Sequence, residues 1–120
     1  MPRMDLTCTD LADGVRRIDL KGRMDIEGAG GIDLRFNALV VSGKHFVAVD
    51  LSGVEFMASL GLSVLVQAAK AVALRGGGLV LVSPRPNVAK VLTSTRIAER
   101  IPVCEDMDQA RAALRSMARS

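Results

Sequence analysis

The chain contains no tryptophan and no tyrosine, and aromatic residues make up only 2% of it. That excludes the exposed ring platforms on which single-stranded nucleic acids stack. Lysine and arginine exceed the acids enough for a net charge of +3, but they are scattered and form no basic arm. The electrostatic footprint of a nucleic-acid binder is therefore missing. One histidine, His45, and two distant cysteines, Cys8 and Cys104, with no CxxC spacing, leave no cluster of metal ligands. No metal or other cofactor is expected. The cysteines read as small buried hydrophobes in a reducing compartment. No apolar run approaches the length of a membrane span, and "MPRMDLTCTD" has no apolar leader core. A cytoplasmic protein with no membrane contact is expected.

What is present is aliphatic. Hydrophobic residues make up 49% of 120 residues, enough for one ordinary domain, 1–120, with a core of Val, Leu, Ile, Ala and Met. Met4 to Thr9 suits a short strand. Asp13-Gly14 is a turn signal, and Ile18 and Leu20 then alternate with polar residues, so the chain opens on a hairpin. Arg16-Arg17 is expected on a solvated strand face. "KGRMD" (Lys21 to Asp25) leaves the strand, and "EGAGG" (Glu27 to Gly31) reads as a loop or a frayed helix start. Ile32, Phe36, Leu39 and Val40 mark one helix face, with Gly43 at its left-handed terminus.

"HFVAVDLS" (His45 to Ser52) is a short β-branched run, expected as a central strand buried on both faces, with Asp50-Leu51 at its C-terminal end. Leu79 to Val82 and Ile101 to Cys104 are further strands. Pro86 opens a helix carrying Val88, Val91, Leu92 and Thr95 on one face. The last helix has Glu105, Asp106 and Asp108 at its start and Ala110, Ala113, Leu114 and Met117 on its apolar side. Arg111, Arg115 and Arg119 form a stripe that is either solvated or engaged with a partner or an acidic lipid. The order ββαβαβαβα predicts an α/β fold.

The glycine motifs do not carry phosphate chemistry. Gly76-Gly77-Gly78 follows a helix and precedes a strand, the reverse of a phosphate loop. Asp25, Asp50 and Glu55 lie on separate segments and suggest no acid/base pair. The informative stretch is "EFMASLGLSVL", Glu55 to Leu65. A strand breaks off and a helix begins at Ser59. At about 100° per residue, Leu62, Leu65, Ala69, Val72 and Ala73 face the sheet. Leu60, Ser63, Val64, Gln67, Lys70 and Ala71 share the outer side. Apolar Leu60 and Val64 next to a hydroxyl fit a docking patch, unless a loop covers them. Ser59 itself is either a helix N-cap or a modification site seated where a phosphate is well tolerated.

Three stretches, in order, resemble a known family. "LKGRMD" (Leu20 to Asp25), "VAVDLSGVEFMASLGLSVLVQAAK" (Val47 to Lys70) and "GGGLVLVSPRPNVAKVL" (Gly76 to Leu92) are similar to the STAS domain of bacterial anti-sigma factor antagonists. The central stretch is specific. The family's common switch loop is Asp-Ser-Ser/Thr-Gly, with the hydroxyl before the glycine accepting phosphate. Here Ala58 stands for the Asp, Leu60 for the usual acceptor, and Ser59 is the hydroxyl that remains, in a loop that looks like a recurring variant.

The resemblance implies a mixed four- to five-stranded sheet with about four helices, mainly on one side. It implies partner switching without catalysis. The unphosphorylated protein binds an anti-sigma factor that is itself a serine kinase of the histidine-kinase-like ATPase fold, phosphorylation at Ser59 (Ser63 in reserve) breaks the complex, and a metal-dependent serine phosphatase restores it. It places Gly22, Met24, Asp25, Ala58, Leu60, Gly61, Val64 and Gln67 at the partner surface. A STAS subunit of a transport assembly, which Leu60 at the acceptor position suits, and an enzyme using the same cleft are the alternatives.

Overall fold

The computed structural model describes residues 4–43 and 45–119. Two strands, β1 (Asp5–Asp10) and β2 (Val15–Met24), form the expected antiparallel hairpin, and Gly14 takes a positive φ of 84° in its turn. Helix α1 (Ile26–Val41), strand β3 (Phe46–Met57), helix α2 (Ser59–Leu74), strand β4 (Gly78–Val82), helix α3 (Pro86–Ser94), a 3-10 turn (Ile97–Glu99), strand β5 (Val103–Cys104) and helix α4 (Met107–Ala118) follow. The order is that expected from the sequence. The five strands lie in chain order across the sheet, with β2 to β5 mutually parallel.

Side-chain alternation divides the core. On one sheet face Val47, Val49, Leu51, Leu79 and Leu81 meet Ile32 and Phe36 of α1, Leu65 and Val72 of α2, and Val88 and Leu92 of α3. On the other, Ala48, Val80 and Val82 meet Ala110 and Leu114 of α4. Three of the four helices, α1 to α3, thus share one side, in keeping with the expectation. Helix α4 covers the second face, which is why β4 is buried at all five of its positions.

Several boundaries differ from the sequence reading. Strand β2 does not end at Leu20 but runs through Met24, because β3 is also longer than its apolar run and continues to Met57. The two extensions pair with each other, Gly22 with Val54, Arg23 with Phe56 and Met24 with Met57, across register shifts on either side of Lys21-Gly22. Asp50 and Leu51 thus lie mid-strand, at the level where pairing with β4 stops at Asp50↔Val82. Glu27 to Gly31 is the first turns of α1, held by a cap described below. Gly43 has the expected positive φ, 70°.

Arg16 and Arg17 are not a solvated pair. Arg16 bonds Asp10 (2.7 Å) and donates to the Leu39 and Ser42 carbonyls at the end of α1, satisfying acceptors that a helix C-terminus leaves open. Arg17 reaches Asp50, which is only 6% exposed, at 3.0 Å. Asp50 also accepts from the Ser52 amide (2.8 Å) and hydroxyl (2.6 Å), so its charge is both paired and hydrogen-bonded.

Candidate functional site

The ends of β2 and β3 lie side by side, and a helix springs from each. After Met24, Asp25 turns the chain into α1. Its carboxylate accepts from the Gly28 amide at 2.8 Å, a side-chain N-cap at the positive end of the helix dipole. After Met57, the Ala58 amide donates to the Met24 carbonyl at 2.9 Å and α2 begins. Ala58, not Ser59, is the N-cap residue of α2 (φ −97°, ψ 174°), and it offers no side-chain acceptor. Ser59 is the first helical residue. The sequence pattern alone does not separate these positions, since a serine at a strand–helix joint suits either.

The two helix starts are locked together from beneath. Met24 is fully buried, and Gly61, in the first turn of α2, sits directly against it. A Cβ built on Gly61 would lie 2.7 Å from Met24 Cγ and 3.0 Å from its carbonyl oxygen, so only glycine admits this approach. Gly22, with φ 120°, occupies backbone that side chains rarely adopt. Gly22, Met24 and Gly61 therefore set the geometry of the site from within the fold.

The residues expected at a partner surface separate into two groups. Ser59, Leu60, Ser63 and Gln67 are exposed, and Asp25 and Ala58 are half-exposed. Gln67 donates to Ser63 Oγ at 3.3 Å. Met24, Gly61 and Val64 are buried and offer no side-chain surface, which corrects the reading of Val64 as an outer residue. The buried arc of α2 is Gly61, Val64, Leu65, Ala68 and Val72, turned from the expected Leu62, Leu65, Ala69, Val72 and Ala73. The cause is α1, which packs alongside α2 and draws Val64 and Ala68 inward.

Further residues at the site had no contact assigned to them from the sequence. The Arg23 guanidinium lies 4.6 Å from the centre of the Phe56 ring and 3.6 Å from Asp25 Oδ2. Phe56, near the end of β3, Ile26, the first residue of α1, and Leu60, in the first turn of α2, are all exposed, so large apolar side chains stand near both helix starts. Continuing the β2 and β3 pairing to Met24 and Met57 would have revealed Arg23 and Phe56 as cross-strand partners. Asn87 and Arg85 at the start of α3 donate to the Glu55 and Ser52 carbonyls of β3 at 2.8 and 2.9 Å. They satisfy strand acceptors past the end of β4.

The site can therefore present a free hydroxyl, an uncapped helix N-terminus and a carboxylate within an apolar rim. Among the described residues no group of three His, Cys, Asp or Glu side chains could hold a metal ion, and no helix is long and apolar enough to cross a membrane.

The STAS domain model matches residues 9–110. The chain is 28% identical, over 89% of its length and 92% of the relative's, to BtrV of Bordetella bronchiseptica, provisionally named an anti-sigma factor antagonist. The fold superposes on the crystal structure of an anti-sigma factor antagonist from Mycobacterium paratuberculosis with a TM-score of 0.84, at 25% identity, covering 93% of this chain and 94% of that one. A STAS domain protein from Planctomyces limnophilus, described as an anti-sigma-factor antagonist, matches with a TM-score of 0.78 at 28% identity, covering 95% and 98%.

Proposed function

The chain belongs to the STAS domain family, and on that footing we propose that it is an anti-sigma factor antagonist that works by phosphorylation-controlled partner switching. The observation that carries this reading is the start of α2, where exposed Ser59 and Leu60 occupy a first turn with no side-chain cap. The unphosphorylated protein docks an anti-sigma factor that is also a serine kinase of the histidine-kinase-like ATPase fold. Leu60 and the neighbouring apolar rim lose water in the complex, and Asp25 faces a cation of the partner.

A phosphoryl group on Ser59 adds about −1.5 to −2 charges. The free protein accommodates it, because the first-turn amides and the dipole of α2 favour an anion. The complex does not, since that charge would have to be desolvated against Leu60. A metal-dependent serine phosphatase resets the switch. The protein is substrate and ligand in this cycle, not a catalyst, and acts in the cytoplasm.

Incubation with the cognate kinase and ATP, followed by peptide mapping, tests the reading. Phosphate is expected on Ser59. Ser59→Asp should abolish binding, and Ser59→Ala should bind but resist release. Phosphate on Ser63 or Ser52 would move the switch. No phosphate at all, with tight co-purification of membrane-associated ATPase subunits, would favour a transport assembly, the reading suited by Leu60 at the usual acceptor position.

A further inference from the structure

At the opposite end of the sheet, and on its other face, a cavity of about 250 Å³ opens between the β1–β2 turn and α4. We propose that it binds a small anionic amphiphile carrying a single carboxylate. The floor is apolar. Val15 and Phe46, the first residues of β2 and β3, meet Leu114 of α4 there. The rim is charged, with Arg111 and Arg115 one helical turn apart and Asp13 facing them from the turn.

Arg111 is incompletely used by the fold. Its Nε lies 3.1 Å from Asp13 Oδ2, yet it is sealed from solvent and makes no hydrogen bond. Its charge is thus paired with Asp13 while its hydrogen-bonding direction is unmet, an uncommon arrangement for a buried donor. Arg115 has no hydrogen bond or ion pair with any described residue. Two guanidinium groups against one carboxylate leave one positive charge over an apolar floor. That matches a monoanion with a short hydrocarbon body, because a guanidinium pairs bidentately with a carboxylate. Small-molecule sites are commonly built this way, largely apolar with a few polar groups that fix orientation.

The cavity is independent of the switch surface. It abuts the first residues of β2 and β3, whereas Asp25 and Ser59 follow their last. Both sites can be occupied at once.

Octanoate titrated into the full chain, followed by heteronuclear NMR, tests the proposal. Saturable shifts are expected at Val15, Phe46 and Leu114. Acetate and 1-octanol should each bind at least tenfold more weakly, since one lacks the body and the other the charge. Arg115→Gln, at an exposed position that leaves the Arg111–Asp13 pair in place, should weaken octanoate at least tenfold. Asp13→Asn should tighten it. Ser59→Asp should leave it unchanged, so failure here and failure of the switch are separable. Absence of saturation, shifts centred elsewhere, or equal binding of 1-octanol would overturn the site.

Discussion

Two adjacent residues divide the work that the sequence suggested for one. Ala58 holds the N-cap position and Ser59 the first helical position. Replacing Ser59 with Ala therefore removes no cap, and the expected loss of stability is below about 0.5 kcal/mol. Ser59→Asp places a carboxylate in the first turn and should stabilise the free protein by about 0.3–1 kcal/mol while abolishing partner binding. Ala58→Asp should supply the missing cap and add about 1 kcal/mol. Chemical denaturation followed by circular dichroism measures all three. A Ser59→Ala loss of 1–2 kcal/mol, the usual cost of a deleted cap, would show that Ser59 is the cap after all.

Asp25 has the reverse problem, because it combines a cap with a proposed contact. Asp25→Ala should cost about 0.5–2 kcal/mol of stability through the lost bond to the Gly28 amide. A binding defect in that variant is ambiguous. Asp25→Asn keeps a good cap acceptor and removes only the charge. It should fold normally and bind the kinase less tightly. Calorimetry that finds Asn equal to Asp in affinity would remove the charge pair from the interface.

Among the elements, α2 depends on β2 as much as on its own sequence. Gly61→Ala would force a Cβ onto Met24, and overpacking of this kind costs about 1–3 kcal/mol. The readout is a lower unfolding midpoint together with shifted resonances at Met24 and Asp25. A neutral variant would show that the two helix starts are not coupled.

The sequence made these elements legible to different degrees. Alternation and turn residues predicted the hairpin, the four helices and their order, since each buries its own periodic face. The length of β3 was not legible, because Glu55 and Phe56 break alternation where the register shifts and only pairing with β2 keeps the chain extended. The side chosen by α4 was hidden for a similar reason, since an amphipathic helix says which of its faces is buried and not which face of the sheet receives it. At the site, Leu60 and Gln67 were readable as surface from helix geometry, and Asp25 only through the family resemblance. Val64 was not, because its burial depends on α1.

Across the whole molecule, the two cysteines give stability a pH dependence. Cys104 lies in the core beneath α4 and Cys8 is half-buried on β1, and burial pushes both thiols above 9.0. The native state thus holds its thiol protons longer than the unfolded chain. Their contribution is complete below about pH 9 and is lost as the pH rises through the native values. The chain has no tyrosine, so no phenol titrates in this window. The urea midpoint should fall from pH 8 to pH 10, and a Cys8→Ala, Cys104→Ala double variant should show a shallower fall. An equal slope in both proteins would assign the dependence to other groups.

The overshoot of β2 and β3 beyond β4 has a consequence for time rather than shape. Beyond Asp50, β3 keeps its strand ladder with β2 only, and the Arg85 and Asn87 side chains bond its Ser52 and Glu55 carbonyls. Amides in such a ribbon open to solvent hydrogen sooner than those of the doubly flanked Val47 to Asp50. Occupancy of the adjoining surface by a partner should slow them selectively. Deuterium uptake at Val54 to Met57 then becomes a label-free clock for how long each partner stays.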